Sequence, residues 1–222
     1  MAGAAWIFRT GSLALLGLAF GSDHASVNAA PVSAGSVLKA LAERPTYIAV
    51  GDDARPPMGW VQFCSEHAED CRDGPSEPRD VRLTAQTWKQ LVATNDWVNE
   101  MIQPSTDLET YGKVEYWTYP VDRGDCEDYV LMKRRLLMES GWPREALLIT
   151  VVRDQRDEGH AVLTVRTDRG EFILDNQATD VLPWHETGYR FVKRQSQSDP
   201  NLWVSLGDHR PRTPVTASDR RP

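Results

Sequence analysis

The hydrophobic pattern changes its period near residue 146, and this change constrains the fold more than any other feature. Before that point, apolar residues recur at helical three- and four-residue steps. After it, three alternating segments follow one another: "ALLITVVRD" (146–154), "HAVLTVRT" (160–167) and "EFILDN" (171–176). The stretch "TDRG" joins the last two as a hairpin. Helices followed by an antiparallel sheet predict an α+β fold in one domain.

Two helices are predicted in the first part of the chain. One begins after Thr84 and ends before Pro104, and the other has Asp125 as its N-cap with Asp128 as a capping-box-like partner. Gly141 marks the end of the second helix. The remaining predictions are a strand over 46–50, a loop over 51–60, and later strands over 189–196 and 202–206.

Composition bounds the class of protein. The chain has 222 residues, of which 41% are hydrophobic and 26% are charged, which suits one well-cored domain. A net charge of -7 argues against nucleic acid or an anionic membrane as the main partner.

The N-terminus resembles a secretory signal peptide. Arg9 precedes the apolar run "GSLALLGLAF", and small residues follow around Ala29. A short buried helix or a membrane anchor is the alternative, although the run is too short to span a bilayer. We therefore predict a signal peptide over 1–29, a mature domain over 30–207, and a disordered, proline-rich tail over 208–222.

The three cysteines divide into a pair and a single residue. Cys64 and Cys71 bracket the polar stretch "SEHAED", which a disulfide could close in an oxidising compartment. A zinc site formed by these two cysteines and His67 is the alternative, but its spacing is unusual and a fourth ligand is not obvious. The disulfide is favoured, which leaves Cys126 as the odd cysteine.

Cys126 lies in "GDCEDY", in the predicted first turn of the second helix, where free backbone N–H groups favour a thiolate and can bind an oxyanion. His160 opens one strand of the hairpin and Asp175 ends the next, so the two should lie nearly opposite each other, within a couple of residues of register. A carboxylate can orient an imidazole, which can then take the thiol proton. The pattern predicts a Cys126–His160–Asp175 triad.

These segments resemble the bacterial transglutaminase-like cysteine proteinases. The resemblance spans about 47–206 and rests on "GDCEDYVLMKRRLL", "GHAVLTV" and "GEFILDN". It implies a papain/transglutaminase-like fold, with Cys126 as nucleophile, His160 as base and Asp175 as orienting group. The best-known members are LapG-type periplasmic proteinases of biofilm dispersal, so it also implies a periplasmic location.

The same resemblance implies a cofactor and partners. Calcium would bind through the acidic residues that flank the cysteine, Asp125 and Glu127. The substrate would be a large surface adhesin cut near its N-terminus, and an inner-membrane receptor for cyclic di-GMP would sequester the enzyme. This chain departs from the best-known members in having the Cys64/Cys71 pair.

The acidic residues around Cys126 raise a physical conflict. Carboxylates close to a thiol raise its pKa, whereas a hard divalent cation bound by them would reverse the local field. Trp117 is the candidate for a second oxyanion donor because its indole N–H can donate. A transglutaminase-type acyltransferase with the same triad, or a non-catalytic binding module with this fold, remain the alternatives to a cysteine endopeptidase.

Overall fold

The computed structural model describes residues 46–72 and 76–207, so the predicted signal peptide and tail lie outside the described residues. The five α-helices of this part are α1 Met58–Glu66, α2 Ala68–Cys71, α3 Ala85–Met101, α4 Asp107–Tyr111 and α5 Cys126–Glu139, and short 3-10 helices span Arg144–Ala146 and Trp184–Glu186. Its nine strands are β1 Val50–Ala54, β2 Gln103–Pro104, β3 Arg123–Gly124, β4 Leu147–Arg153, β5 Gly159–Thr167, β6 Gly170–Leu174, β7 Leu182–Pro183, β8 Arg190–Gln195 and β9 Trp203–Leu206. None of these helices is long and apolar enough to cross a membrane.

Seven of the strands form an antiparallel sheet in the order β1-β9-β8-β4-β5-β6-β7. The predicted run of three strands, β4 to β6, is consecutive in this order, and β4 is the central strand. In the β5–β6 hairpin Leu163 pairs with Leu174, so Asp175 stands two positions out of direct register with His160, inside the predicted margin. The α+β architecture predicted from the sequence is therefore confirmed.

The two long helices cover one face of the sheet. Thr84 caps α3. The helix buries the side that carries Leu91, Asn95 and Val98, as the three- and four-residue spacing indicated. The apolar side of α5 joins the same core, in which Leu137 and Leu163 are fully buried. This packing places the first residue of α5 against β5 and fixes the position of the site.

The N-terminal strand differs from the prediction. The sequence suggested a strand over 46–50 and a loop over 51–60, whereas β1 spans Val50–Ala54 and α1 begins at Met58. Most of β1 is exposed, and it pairs only with β9 at the edge of the sheet. An edge strand of this kind is held by backbone hydrogen bonds and buries few side chains. Its sequence therefore lacks the hydrophobic alternation that would predict a strand.

The predicted disulfide is present. Cys64 near the end of α1 is bonded to Cys71 at the end of α2. Because both sulfurs are used in this bond, the alternative zinc site with His67 is excluded. The free cysteine of the described residues is Cys126, which the sequence predicted to be left over once the other two cysteines are paired.

Candidate active site

Three elements bring the predicted reactive residues together. Cys126 is the first residue of α5, His160 is the second residue of β5, and Asp175 directly follows β6. The backbone N–H of Ala161 donates to Cys126 Sγ over 3.4 Å, so the sulfur lies beside the residue that follows the histidine. Packing of α5 on β5 thus converts three separate sequence signals into one site.

The histidine and aspartate form a buried pair. His160 Nε2 lies 2.8 Å from Asp175 Oδ1, and each side chain is 2% exposed. The other carboxylate oxygen accepts from the hydroxyl of Tyr189 over 2.6 Å, and Oδ1 also accepts from the Gln177 N–H over 3.0 Å. Burial alone would raise the pKa of Asp175, but these donors, His160 foremost, hold it below its ordinary value.

The backbone of Asp175 is fixed as firmly as its carboxylate. Asn99 on α3 donates its Nδ2–H to the Asp175 carbonyl oxygen over 2.8 Å. One turn earlier on the helix, Asn95 Oδ1 accepts the Asp175 N–H over 3.2 Å. A rigid helix therefore positions the residue that orients the histidine.

The thiol of Cys126 faces a carboxylate. Its S–H donates to Glu127 Oε2 over 2.9 Å. Burial, and then the charge of Glu127, raise the pKa of the thiol well above its ordinary value. The conflict expected from the sequence is therefore present in this structure, and it keeps the sulfur protonated.

A group of three aspartates lies at the start of α5. One carboxylate oxygen from each of Asp107, Asp125 and Asp128 lies within 4.8 Å of the other two. Asp107 and Asp128 are buried, Asp125 is partly buried, and each residue has one buried oxygen without a hydrogen-bond partner among the described residues. Three convergent oxygens of this kind suit a hard cation such as Ca²⁺, which prefers carboxylate ligands.

The electrostatics of this group point the same way. Burial, reinforced by neighbouring carboxylates, raises the pKa of Asp125 to about 8 and that of Asp128 to about 8. Burial also raises the pKa of Asp107. Among the described residues, no lysine or arginine forms a salt bridge with these three aspartates, although the charge of Lys113 acts on Asp107. At neutral pH the group therefore holds protons, which a bound cation would replace.

Gly124 makes room for this arrangement. A Cβ atom at this position would lie 2.4 Å from Asp128 Oδ2, closer than real atoms approach. Asp128 Oδ1 accepts the N–H of Thr118 over 3.0 Å, which ties the aspartate to the preceding loop. The glycine in "GDCEDY" is thus required for Asp128 to fold back over the start of the helix.

The acidic group is larger than the sequence predicted. Asp125 belongs to it, and Glu127 lies beside it, with its carboxylate in contact with Cys126 and its charge raising the pKa of Asp125, so its place as a calcium ligand stays a prediction. Asp128, which the sequence suggested as a capping partner, is a further member. The third member, Asp107, was missed: it begins α4, where its local signal is the ordinary capping box of Thr106 and Glu109.

The predicted oxyanion donor is also corrected. Trp117 is 2% exposed, and its indole N–H donates to Glu115 Oε1 over 2.9 Å. It packs edge-on against Trp60 in the core. With its one donor already used, Trp117 does not supply the second oxyanion contact in this structure, and its role here is packing.

Comparison with known proteins identifies the family. The sequence profile described as bacterial transglutaminase-like cysteine proteinase (BTLCP) matches residues 50–211. The chain belongs to this family. It is therefore a cysteine peptidase by family, and its helices and antiparallel sheet form a transglutaminase-like fold. Among curated proteins, no sequence matches the chain.

Among solved structures, the chain is similar to LapG of Legionella pneumophila. One LapG structure shares 27% identity over 52% of this chain and 67% of its own, with a TM-score of 0.45. A calcium-bound LapG shares 23% over 62% and 77%, with a TM-score of 0.46. An EGTA-treated LapG shares 27% over 55% and 71%, with a TM-score of 0.45.

Proposed function

We propose that this family member is an exported, calcium-dependent cysteine endopeptidase with Cys126 as nucleophile, His160 as base and Asp175 as orienting group. One observation carries the proposal. The buried His160–Asp175 pair, with its 2.8 Å contact, lies beside a cysteine at a helix N-terminus. A protein substrate follows from the proteinase family.

The hydrogen bonds assign the proton positions. Because the ionised carboxylate of Asp175 can only accept, His160 Nε2 carries the proton and Nδ1 keeps its lone pair, which faces the side-chain nitrogen of Gln177 at 3.4 Å and must turn to the thiol for catalysis. Nδ1 then removes the thiol proton of Cys126, and the thiolate attacks the scissile carbonyl carbon. Backbone N–H groups at the start of α5 stabilise the resulting oxyanion. The imidazolium returns its proton to the leaving amine, and water hydrolyses the acyl-enzyme.

The three aspartates would hold the calcium ion. The bound ion would supply positive charge beside the nucleophile, opposing the carboxylates that raise the pKa of Cys126. Glu127, which contacts the sulfur and whose charge raises the pKa of Asp125, would be the further ligand that the family resemblance implies. On this basis the metal-free protein is poorly activated and the loaded protein is competent.

The place of action and the partners are proposed from the sequence. The signal-peptide pattern over 1–29 supports export, and we propose a periplasmic location. The family resemblance supports a bacterial surface adhesin, cut near its N-terminus, as substrate. It also supports an inner-membrane cyclic di-GMP receptor as the regulator that sequesters the enzyme.

The test is cleavage of purified N-terminal fragments of candidate surface adhesins by the mature protein, with and without EGTA. We expect cleavage that EGTA stops and added calcium restores, and no cleavage by Cys126→Ala. Cleavage that persists in Cys126→Ala would refute the nucleophile, and cleavage indifferent to EGTA would refute the calcium dependence. A labelled primary amine added to the reaction detects acyl transfer as the alternative outcome.

A further inference from the structure

A lysine is buried directly beneath the triad. Lys133 on α5 is 0% exposed, although a charged amine is expensive to bury. Its Nζ donates to Asn95 Oδ1 over 2.8 Å, and this is the same oxygen that accepts the Asp175 N–H. The amide of Asn95 therefore connects the lysine to the backbone of the residue that orients the histidine.

The lysine also reinforces the direction in which this amide points. Lys133 and the Asp175 N–H are both donors, so the Asn95 atom facing them must be its oxygen. The amide nitrogen then donates to the carbonyl of Thr179 over 3.3 Å. With the amide reversed, all three contacts would be lost. Lys133 thus helps to hold Asn95 in the orientation that contacts both Asp175 and Thr179, at the two ends of the loop between them.

Titratable groups from three elements surround the amine of Lys133. Its amine lies 5.8 Å from the ring centre of Tyr129 on its own helix. Asp175, after β6, and Asp96, on α3, favour the charged form. Burial outweighs them and lowers the pKa of Lys133 to about 7. The amine is therefore charged below about pH 7 and loses that charge above it.

A purely structural account does not explain a lysine at this position. Replacing a buried charge by an apolar side chain of similar length is often neutral or stabilising. The contacts of Lys133 lead instead to the catalytic loop. We propose that Lys133 is a positioning residue, which acts through Asn95 to hold Asp175 against His160; this inference rests on the proposed function of the triad.

The test compares Lys133→Met, Lys133→Arg and the matched control Lys89→Met, which changes an exposed lysine of α3. All are measured as full mature protein in excess calcium. The first readout is the rate of Cys126 alkylation by iodoacetamide, which needs no substrate. We expect Lys133→Met to lose roughly 10- to 100-fold in this rate at neutral pH, with an unchanged or higher Tm and a normal control.

The second readout is the pH profile of kcat on a cleaved adhesin fragment. Wild-type kcat should fall above about pH 7 as Lys133 loses its charge. Lys133→Arg should move that fall to higher pH because the guanidinium stays charged, and Lys133→Met should lower kcat at every pH with little change in KM.

The outcomes separate the two proposals. If wild-type Cys126 is alkylated no faster than a simple thiol, the proposed function fails. Should wild-type alkylation be fast but equally fast in Lys133→Met, only the positioning role is overturned. A pH profile identical in wild type, Lys133→Met and Lys133→Arg overturns it as well.

Discussion

Buried carboxylates lie on two sides of Cys126, and the surrounding protein shifts their pKa values in opposite directions. Asp175 accepts hydrogen bonds from an imidazole, a phenol and a backbone N–H, and its pKa is lowered. Asp125 and Asp128 each keep a buried oxygen with no donor among the described residues, and their pKa values are raised to about 8. Both groups are buried, so burial does not explain the difference.

The difference lies in where the compensation comes from. The fold itself supplies the donors that stabilise Asp175, so its charge is a built-in part of the site. The acidic group at the start of α5 lacks donors for its buried oxygens among the described residues, so burying its charge is costly unless protons or a cation neutralise it. The carboxylate of Asp175 is therefore ionised without any ligand, whereas the acidic group, under the proposed function, would be ionised only when calcium binds.

Removing the charge of the compensated carboxylate should have the largest effect. In Asp175→Asn, the amide can present an N–H to His160 and so stabilises the wrong tautomer, which places a proton on Nδ1. We expect kcat to fall about 10³- to 10⁴-fold with only a small change in Tm. Asp180→Asn, on the exposed part of the same loop, is the matched control. A loss below about tenfold would contradict the assignment of Asp175.

Removing one charge from the uncompensated group should act differently. Asp125→Asn should stabilise the metal-free protein and abolish its response to calcium. In wild type, calcium at about 100 times its Kd should add about 2.7 kcal/mol to the free energy of unfolding. Differential scanning calorimetry with calcium or EGTA measures both effects. Asp122→Asn is the control, and its calcium shift should persist because Asp122 is an exposed aspartate outside the group.

The proximity of Cys126, His160 and Asp175 was predictable because each residue lies in a local pattern. A helix start marks Cys126, and a short hairpin links His160 to Asp175 closely enough that a two-residue error in register does not separate them. The membership of the acidic group was only half predictable. Residues three apart share a side of a helix, which explains why Asp128 lies beside Asp125, but the sequence suggested Asp128 only as a capping partner.

The remaining parts depend on tertiary contacts that no local pattern encodes. Asp107 lies 18 positions before Asp125 and reaches it only because the intervening loop folds back. Lys133 occupies the middle of a helix in a basic run, "KRR", where solvent exposure is the usual outcome. Its burial becomes visible only when α3 packs against α5 and places Asn95 beside it.

The pH dependence of stability sharpens the comparison further. Folding raises the pKa of Asp125 and Asp128 from 3.8 to about 8, so the folded state holds their protons more tightly than the unfolded state. Stability from this group is therefore complete below about pH 4 and is lost as pH rises towards 8. In EGTA, Tm should fall by roughly 5 °C or more over this range. With calcium present, the fall should be much smaller; an equal fall would contradict a cation at this group.

The smallest expected effect comes from removing one donor of the compensated carboxylate. Tyr189→Phe keeps the ring that packs edge-on against His160 at 5.5 Å but removes the hydroxyl that donates to Asp175 Oδ2. Because His160 and Gln177 still donate, we expect kcat to fall only about threefold to tenfold, and the unfolding free energy to drop by about 1–2 kcal/mol.

The matched control for this change is Tyr116→Phe, which removes a hydroxyl that donates to the exposed Glu66 over 2.8 Å. Its effect on kcat and on stability should be close to zero, since water replaces the lost donor at an exposed carboxylate. If Tyr189→Phe behaves like this control, the carboxylate of Asp175 does not depend on its full set of donors. The contrast between a self-sufficient carboxylate and a cation-dependent group would then rest on His160 alone.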